Sequence, residues 1–135
     1  MNLERTLNKP IVLAVDDNLD NLVLLEFQLA AVADCAIVTA ATGKAALHMA
    51  QHSHPDLILL DIQLPDISGI EVAQQLRQRP HTATTPIVAL TALARNEDRD
   101  RILNSGCNAY LTKPYDLDDL QAVVTHHLTQ PCSPL

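Results

Sequence analysis

The chain has 135 residues, 47% of them hydrophobic, and a formal net charge of −7 at pH 7. That length suits one domain with a substantial core and is short for two. The acidic balance, with no stretch gathering lysine and arginine on one face, excludes the basic footprint of a nucleic-acid binder. Phe27, Tyr110 and Tyr115 are the only aromatics, so the core is expected to be aliphatic. The opening "MNLERTLNKP" lacks the apolar run of a signal peptide, and no later segment is long and apolar enough to cross a bilayer. A cytoplasmic protein with neither membrane nor direct nucleic-acid partner is the expectation. Cys35, Cys107 and Cys132 fit neither a disulfide framework nor a zinc site, and read as two small buried hydrophobes and an incidental tail thiol, all reduced.

Residues 1–10 read as an N-terminal extension. "IVLAV", opened by Pro10, is a continuous apolar run typical of a parallel strand covered on both faces. From Asp20 to Ala31, Leu22, Leu25 and Leu29 form a helical stripe. "AIV" is a short second strand, "GKAALHMAQHS" a second helix, and "DLILLD", opened by Pro55, a third strand. Ser68 followed by Glu71 makes a capping-box pattern ahead of "IEVAQQLRQR". "PIVALT" is the fourth strand, and "NEDRDRILNSG" a short charged helix that Gly106 can stop in a left-handed conformation. "AYLT" is the fifth strand, and Asp116 caps a last helix running to about Leu128, ahead of a tail over residues 129–135. Five βα units with right-handed crossovers give an α/β fold, a doubly wound parallel sheet with helices on both faces.

In such sheets ligands bind outside the carboxyl ends of the strands. Three strands begin alike at a proline and end at Asp16, Asp61 and Thr91, and the fifth ends at Lys113. Parallel strands bring these ends to one edge, so Asp16, Asp17, Asp61, Thr91 and Lys113 are expected to cluster. Taken singly, an aspartate after a strand is a helix cap or turn former. It is the convergence that points to a site. Three carboxylates a few ångströms apart repel by about several kcal/mol at an effective dielectric of about 20, and one lysine is too little charge to offset that. Hard oxygen donors with open positions suit Mg²⁺ rather than zinc.

The stretches "AVDDN", "DLILLDIQLPDISGIEV", "PIVALTA" and "AYLTKPY" resemble the receiver domains of two-component response regulators, over residues 11–128. The resemblance implies a five-stranded, flavodoxin-like sheet in the order 2-1-3-4-5. It implies that Asp61 is the phosphoacceptor. Asp17 and Asp61 would hold Mg²⁺ directly and Asp16 mostly through water, with the backbone carbonyl of Gln63 completing the protein ligands. Thr91 and Lys113 would contact the phosphoryl group, and Thr91 with Tyr110 would form a switch. Read without the family, Tyr110 is a half-buried strand tyrosine. The resemblance also implies a cis Lys113-Pro114 bond, and it gives Gln63 and Leu93 influence over how fast the acyl phosphate hydrolyses. Leu93 is apolar and cannot orient a water, which implies a long-lived phosphoryl group.

The implied function is phosphorelay signalling rather than an enzyme's turnover. A histidine kinase or histidine phosphotransfer protein supplies the phosphoryl group, and a downstream protein reads the fourth helix, fifth strand and last helix. A stand-alone receiver is the first expectation, a module of a hybrid kinase the alternative, and a receiver used purely as a docking scaffold a third. A haloacid-dehalogenase-like phosphatase also uses a strand-end aspartate and Mg²⁺, but it needs a second aspartate where this chain has Gln63, and room for a cap domain. Other features read as ordinary. Asp66 is a turn residue in "LPDISG", with Pro65 and Gly69 as backbone punctuation. His48 and His52 lie on a solvated helix face without a third metal ligand, and His126 and His127 complement a helix dipole. "RNEDRDR" reads as a solvated face, and no nucleotide-cradling loop occurs.

Overall fold

The computed structural model describes residues 9–92 and 95–128. Elements alternate as β1 (Ile11–Val15), α1 (Leu19–Val32), β2 (Ala36–Ala40), α2 (Gly43–Ser53), β3 (Leu57–Asp61), α3 (Gly69–Arg77), β4 (Ile87–Thr91), α4 (Asn96–Asn104), β5 (Ala109–Thr112) and α5 (Leu117–Leu128). All strands pair in parallel, in the order β2-β1-β3-β4-β5. Strand order reverses beside β1, which sends α1 to one face of the sheet and α2 to the other.

Alternation along each strand feeds two separate aliphatic layers. Leu13, Val15, Ile58, Leu60, Ile87 and Ala89 pack on one face with Leu47, Val72, Leu76 and Ile102 from α2, α3 and α4. Val12, Ala14, Leu57, Leu59, Val88 and Leu90 pack on the other with Leu22, Leu25 and Leu29 of α1 and Leu120 and Val124 of α5. The three inner strands are buried on both faces, which is why they read as unbroken apolar runs, while the edge strands β2 and β5 stay half-exposed. Each fully buried leucine contributes about 1.5–3 kcal/mol.

Local signals set the element ends. The Asn18 side chain accepts from the amide of Asn21 (3.0 Å), Thr42 from Ala45 (3.0 Å), Ser68 from Glu71 (3.2 Å) and Asp116 from Asp119 (2.9 Å), so four helices have side-chain N-caps. The capping box of α3 is only half formed, because the Glu71 carboxylate accepts instead from Gln75 Nε2 at 3.3 Å. Gly106 has φ +114°, the positive-φ turn expected after α4. Gly69 is fixed by close approach: a Cβ there would lie 2.4 Å from the Asp61 carbonyl oxygen and 2.7 Å from Ile62 Cα, both backbone atoms. The Lys113-Pro114 bond is cis.

Two expectations need correction. "RNEDRDR" is not wholly a solvated face, because Asp98 turns inward and is buried, paired with Arg95 Nε at 3.3 Å and with Arg101 at 3.9 Å. Two basic neighbours offset its charge, so burial is tolerated. Asp66 is more than a turn residue. Its carboxylate accepts from the amides of Gly43 (2.8 Å) and Lys44 (2.9 Å), the exposed donors at the start of α2. Nothing local announces a bond that spans 23 residues. Among the cysteines, Cys107 is buried and Cys35 half-buried, both free thiols whose pKa burial pushes up, while Cys132 lies outside the described residues. Leu93 lies outside them too, as do the extension before Lys9 and the tail.

Candidate functional site

The carboxyl edge of the sheet brings together the side chains that the strand ends predict. Asp16 follows β1 directly, Asp61 and Thr91 are the last residues of β3 and β4, and Lys113 follows β5. Asp16, Asp61 and Thr91 are 3%, 7% and 1% exposed, so the floor of the site is almost dry, while Asp17 stands in solvent at its rim. Carboxylate oxygens of Asp16, Asp17 and Asp61 all lie within 4.8 Å of one another. Lys113 reaches in from the side, its Nζ donating to Asp16 Oδ2 at 3.2 Å and to Asp61 Oδ2 at 3.4 Å.

Backbone donors fix the carboxylates. Asp16 Oδ1 accepts from the Asn18 amide (2.9 Å) at the start of α1, and Asp61 Oδ1 from the Gln63 amide (3.1 Å). Beneath them, the amide of Asp16 bonds the Ala40 carbonyl and that of Lys113 bonds the Thr91 carbonyl, so each loop leaves its strand held by its neighbour. Gly69 lets α3 start against the end of β3, its amide on the Ile62 carbonyl at 2.8 Å.

The charges do not balance. Burial raises the Asp61 pKa, and the Asp16 charge adds to this, against the opposing pull of Lys113 and the Gln63 amide. Burial pulls Lys113 down, but the Asp61 and Asp16 charges outweigh it, and the ammonium is held charged above its ordinary range. These two directions look contradictory for one ion pair. They are consistent because one ammonium serves two carboxylates: Lys113 is well matched, and Asp61 is not. Asp17 adds further negative charge. An excess of hard anionic carboxylates, two of them almost dry and one at the rim, is the donor set that a small divalent cation fits.

The remaining expected residues fall around this core. Gln63 is exposed in the loop after β3, tied to Asp61 through its amide. Tyr110 sits in β5 opposite Ala89, half-buried against the layer under α4, and the Arg99 guanidinium carbon lies 5.6 Å from its ring centroid. Beside the carboxylates a groove of about 450 Å³ opens between α1 and the cis-proline loop, lined by Asp16, Asn21, Leu24, Gln28, Lys113 and Tyr115. The outer face of α1 next to it is apolar: Leu19, Val23, Leu24 and Phe27 are all exposed, Phe27 by 75%. Sequence reasoning missed this surface because only the inner leucine stripe was needed to explain the helix. The helix offers a second arc in Leu19, Val23 and Phe27, spaced i, i+4, i+8. His48 and His52 make no metal cluster: His52 Nδ1 bonds the His48 carbonyl at 2.9 Å, and among the described residues only the three aspartates group as ligands. His127 Nδ1 bonds the Val123 carbonyl at 2.9 Å in the last turns of α5.

Residues 12–125 match the response regulator receiver domain, and the chain belongs to that family. It is 40% identical over 103 residues to the polar-differentiation response regulator DivK of Brucella ovis, covering 76% of this chain and 83% of that protein. Among solved structures, the chemotaxis protein CheY4 of Vibrio cholerae superposes with a TM-score of 0.83 at 28% identity, over 88% of this chain and 98% of that one. The receiver domain of the sensor histidine kinase PA1611 from Pseudomonas aeruginosa, solved with a magnesium ion coordinated in its active-site cleft, also gives 0.83, at 30% identity over 90% and 99%. This is a signalling domain of two-component systems with an acidic pocket of the receiver kind. Among the described residues, no helix is long and apolar enough to cross a membrane.

Proposed function

We propose that this receiver accepts a phosphoryl group on Asp61 from the phosphohistidine of a kinase or phosphotransfer protein, and that Asp16, Asp17, Asp61 and the Gln63 carbonyl hold Mg²⁺ for that transfer. The observation that carries the reading is the three-carboxylate cluster with Lys113 on two of its members and Asp61 at the end of the central strand. An Asp61 carboxylate oxygen attacks phosphorus while the P–N bond breaks and its electron pair returns to the imidazole. The product is an acyl phosphate. Bound Mg²⁺ would neutralise charge on the phosphoryl oxygens. Lys113 supplies a fixed positive charge at the same oxygens, and the Thr91 hydroxyl, at the end of the adjacent strand, donates to the new group. The Gln63 amide keeps Asp61 oriented.

The phosphodonor must cover the mouth of the site, and the groove runs from Asp16 and Lys113 onto α1. The exposed Leu19, Val23, Leu24 and Phe27 give a protein donor an apolar footing there. Downstream, the new phosphoryl oxygens draw Thr91 toward them and Tyr110 inward, which remodels the face of α4, β5 and α5 for a protein partner. Gln63, in place of a second aspartate, leaves the site without the acid and base of a phosphatase.

Incubation with acetyl phosphate and MgCl₂ followed by intact mass tests the reading. One phosphoryl adduct on the wild type and none on Asp61→Asn is the expected result. No adduct, or an equal one on Asp61→Asn, overturns it. With a protein phosphodonor, Phe27→Ser slows transfer while the acetyl phosphate reaction stays at its wild-type rate.

A further inference from the structure

Arg99, in the middle of α4, stands apart from its neighbours. Among the described residues, the ion pairs of this helix join Asp98 to Arg95 and Arg101. Arg99 instead places its guanidinium carbon 5.6 Å from the centroid of the Tyr110 ring, within the range of a cation–π contact. Its Nε is buried and makes no hydrogen bond among the described residues. A buried donor without an acceptor carries an uncompensated desolvation cost. Among the described residues, the contact with the Tyr110 ring is the interaction found for this side chain. Tyr110 lies three residues before Lys113 and pairs with Ala89 on β4, the strand that ends at Thr91. Asp61, meanwhile, has both oxygens engaged as a carboxylate, one by Gln63 and one by Lys113.

We infer that Arg99 is a positioning residue for Tyr110, a latch that holds the ring against α4 while Asp61 is a free carboxylate and that sets how readily the α4–β5 face changes on phosphorylation. The inference rests on the proposal that Tyr110 moves inward when Asp61 is phosphorylated. The physical content is a population shift. A contact made in one state and lost in the other taxes the second state by the strength of that contact. An exposed or half-buried cation–π pair shifts such an equilibrium by about two- to fivefold.

The test compares wild type, Arg99→Leu and Arg99→Lys. Leucine keeps the packing volume and removes both the cation and the orphaned donor, whereas lysine keeps a cation over the ring. The ring signals of the two tyrosines are read by NMR, with Tyr115→Phe to assign them. Acetyl phosphate uptake is followed by mass on the same samples, and melting temperature controls for folding. Arg99→Leu is expected to move the Tyr110 signal toward its position in the phosphorylated wild type and to speed uptake by about two- to fivefold, with Arg99→Lys between. In a wild type that takes up the phosphoryl group, a Tyr110 signal left in place, or uptake unchanged or slower in Arg99→Leu, overturns the latch, as does a lowered melting temperature with the ring unmoved. If the wild type takes up no phosphoryl group but Arg99→Leu still moves Tyr110, positioning stands and the phosphorylation reading fails.

Discussion

Asp66 lies outside the carboxylate cluster, yet it decides where the loop after β3 sits relative to α2. The amides of Lys44 and Gly43, in that order of effect, hold its pKa down at about 2. An unfolded aspartate titrates near about 3.9. A carboxylate whose folded pKa is depressed contributes stability that is complete above the unfolded value and disappears as pH falls through the folded one. Asp66→Asn should therefore melt below the wild type at neutral pH, and the gap should close between about pH 4 and about pH 2. Parallel thermal melts across that window check it. A gap that persists at the acid end would mean that the side chain's contribution does not depend on its charge. Lys113 illustrates the opposite situation. It is shared by two acids, so the site favours its charged form while burial disfavours the charged form of Asp61, and that asymmetry leaves room for a second cation.

At the scale of elements, the pole opposite the carboxylates is organised by one guanidinium. Arg77, at the end of α3, donates through Nε to the Gly106 carbonyl (3.0 Å), through NH1 to the Thr82 carbonyl (2.9 Å) and through NH2 to Asn108 Oδ1 (2.7 Å). Asn108 Oδ1 also accepts from the amide of Ile87 (2.8 Å), the first residue of β4. One side chain thus joins α3, the loop after it, β4 and the turn into β5. Removing it orphans acceptors that burial keeps from full hydration. Arg77→Met should lower unfolding free energy by roughly 2–3 kcal/mol in a urea titration, and a loss below about 1 kcal/mol would mean that water replaces the guanidinium at little cost. None of this is legible in sequence, because the partners are 5 to 31 residues away and share no local pattern. The elements themselves are legible. The leucine stripe of α1, the capping residues and the apolar strands are all short-range signals, and the observed boundaries fall within a residue or two of them. The inward turn of Asp98 is not, since periodicity alone cannot separate a solvated acid from one folded under between two arginines.

For the molecule as a whole, the carboxylate cluster is legible for a topological reason. When every strand runs the same way, residues that end strands meet at one edge, so a list of strand-final residues is already a list of neighbours. Ligand geometry is what that argument leaves out: which oxygen faces inward, and that Asp17 stays at the rim while Asp16 goes dry. The same arrangement couples the site to the stability of the entire sheet. Repulsion among Asp16, Asp17 and Asp61 opposes closing the carboxyl edge, and a cation that binds only the folded cluster stabilises the fold by mass action, about 2.7 kcal/mol at a hundredfold excess over its dissociation constant. The melting temperature of the wild type should therefore climb with MgCl₂ and keep climbing with its logarithm. Asp17 is exposed and makes no contribution to the core, so Asp17→Asn should leave the fold intact, relieve repulsion, and melt at or slightly above the wild type without magnesium. With magnesium the order should reverse, because the proposal makes Asp17 one of the ion's anionic ligands and the variant lacks it. Calorimetric scans of the two proteins across a magnesium series discriminate the outcomes. Parallel curves would mean that the ion acts on the general charge of −7 and not on this cluster.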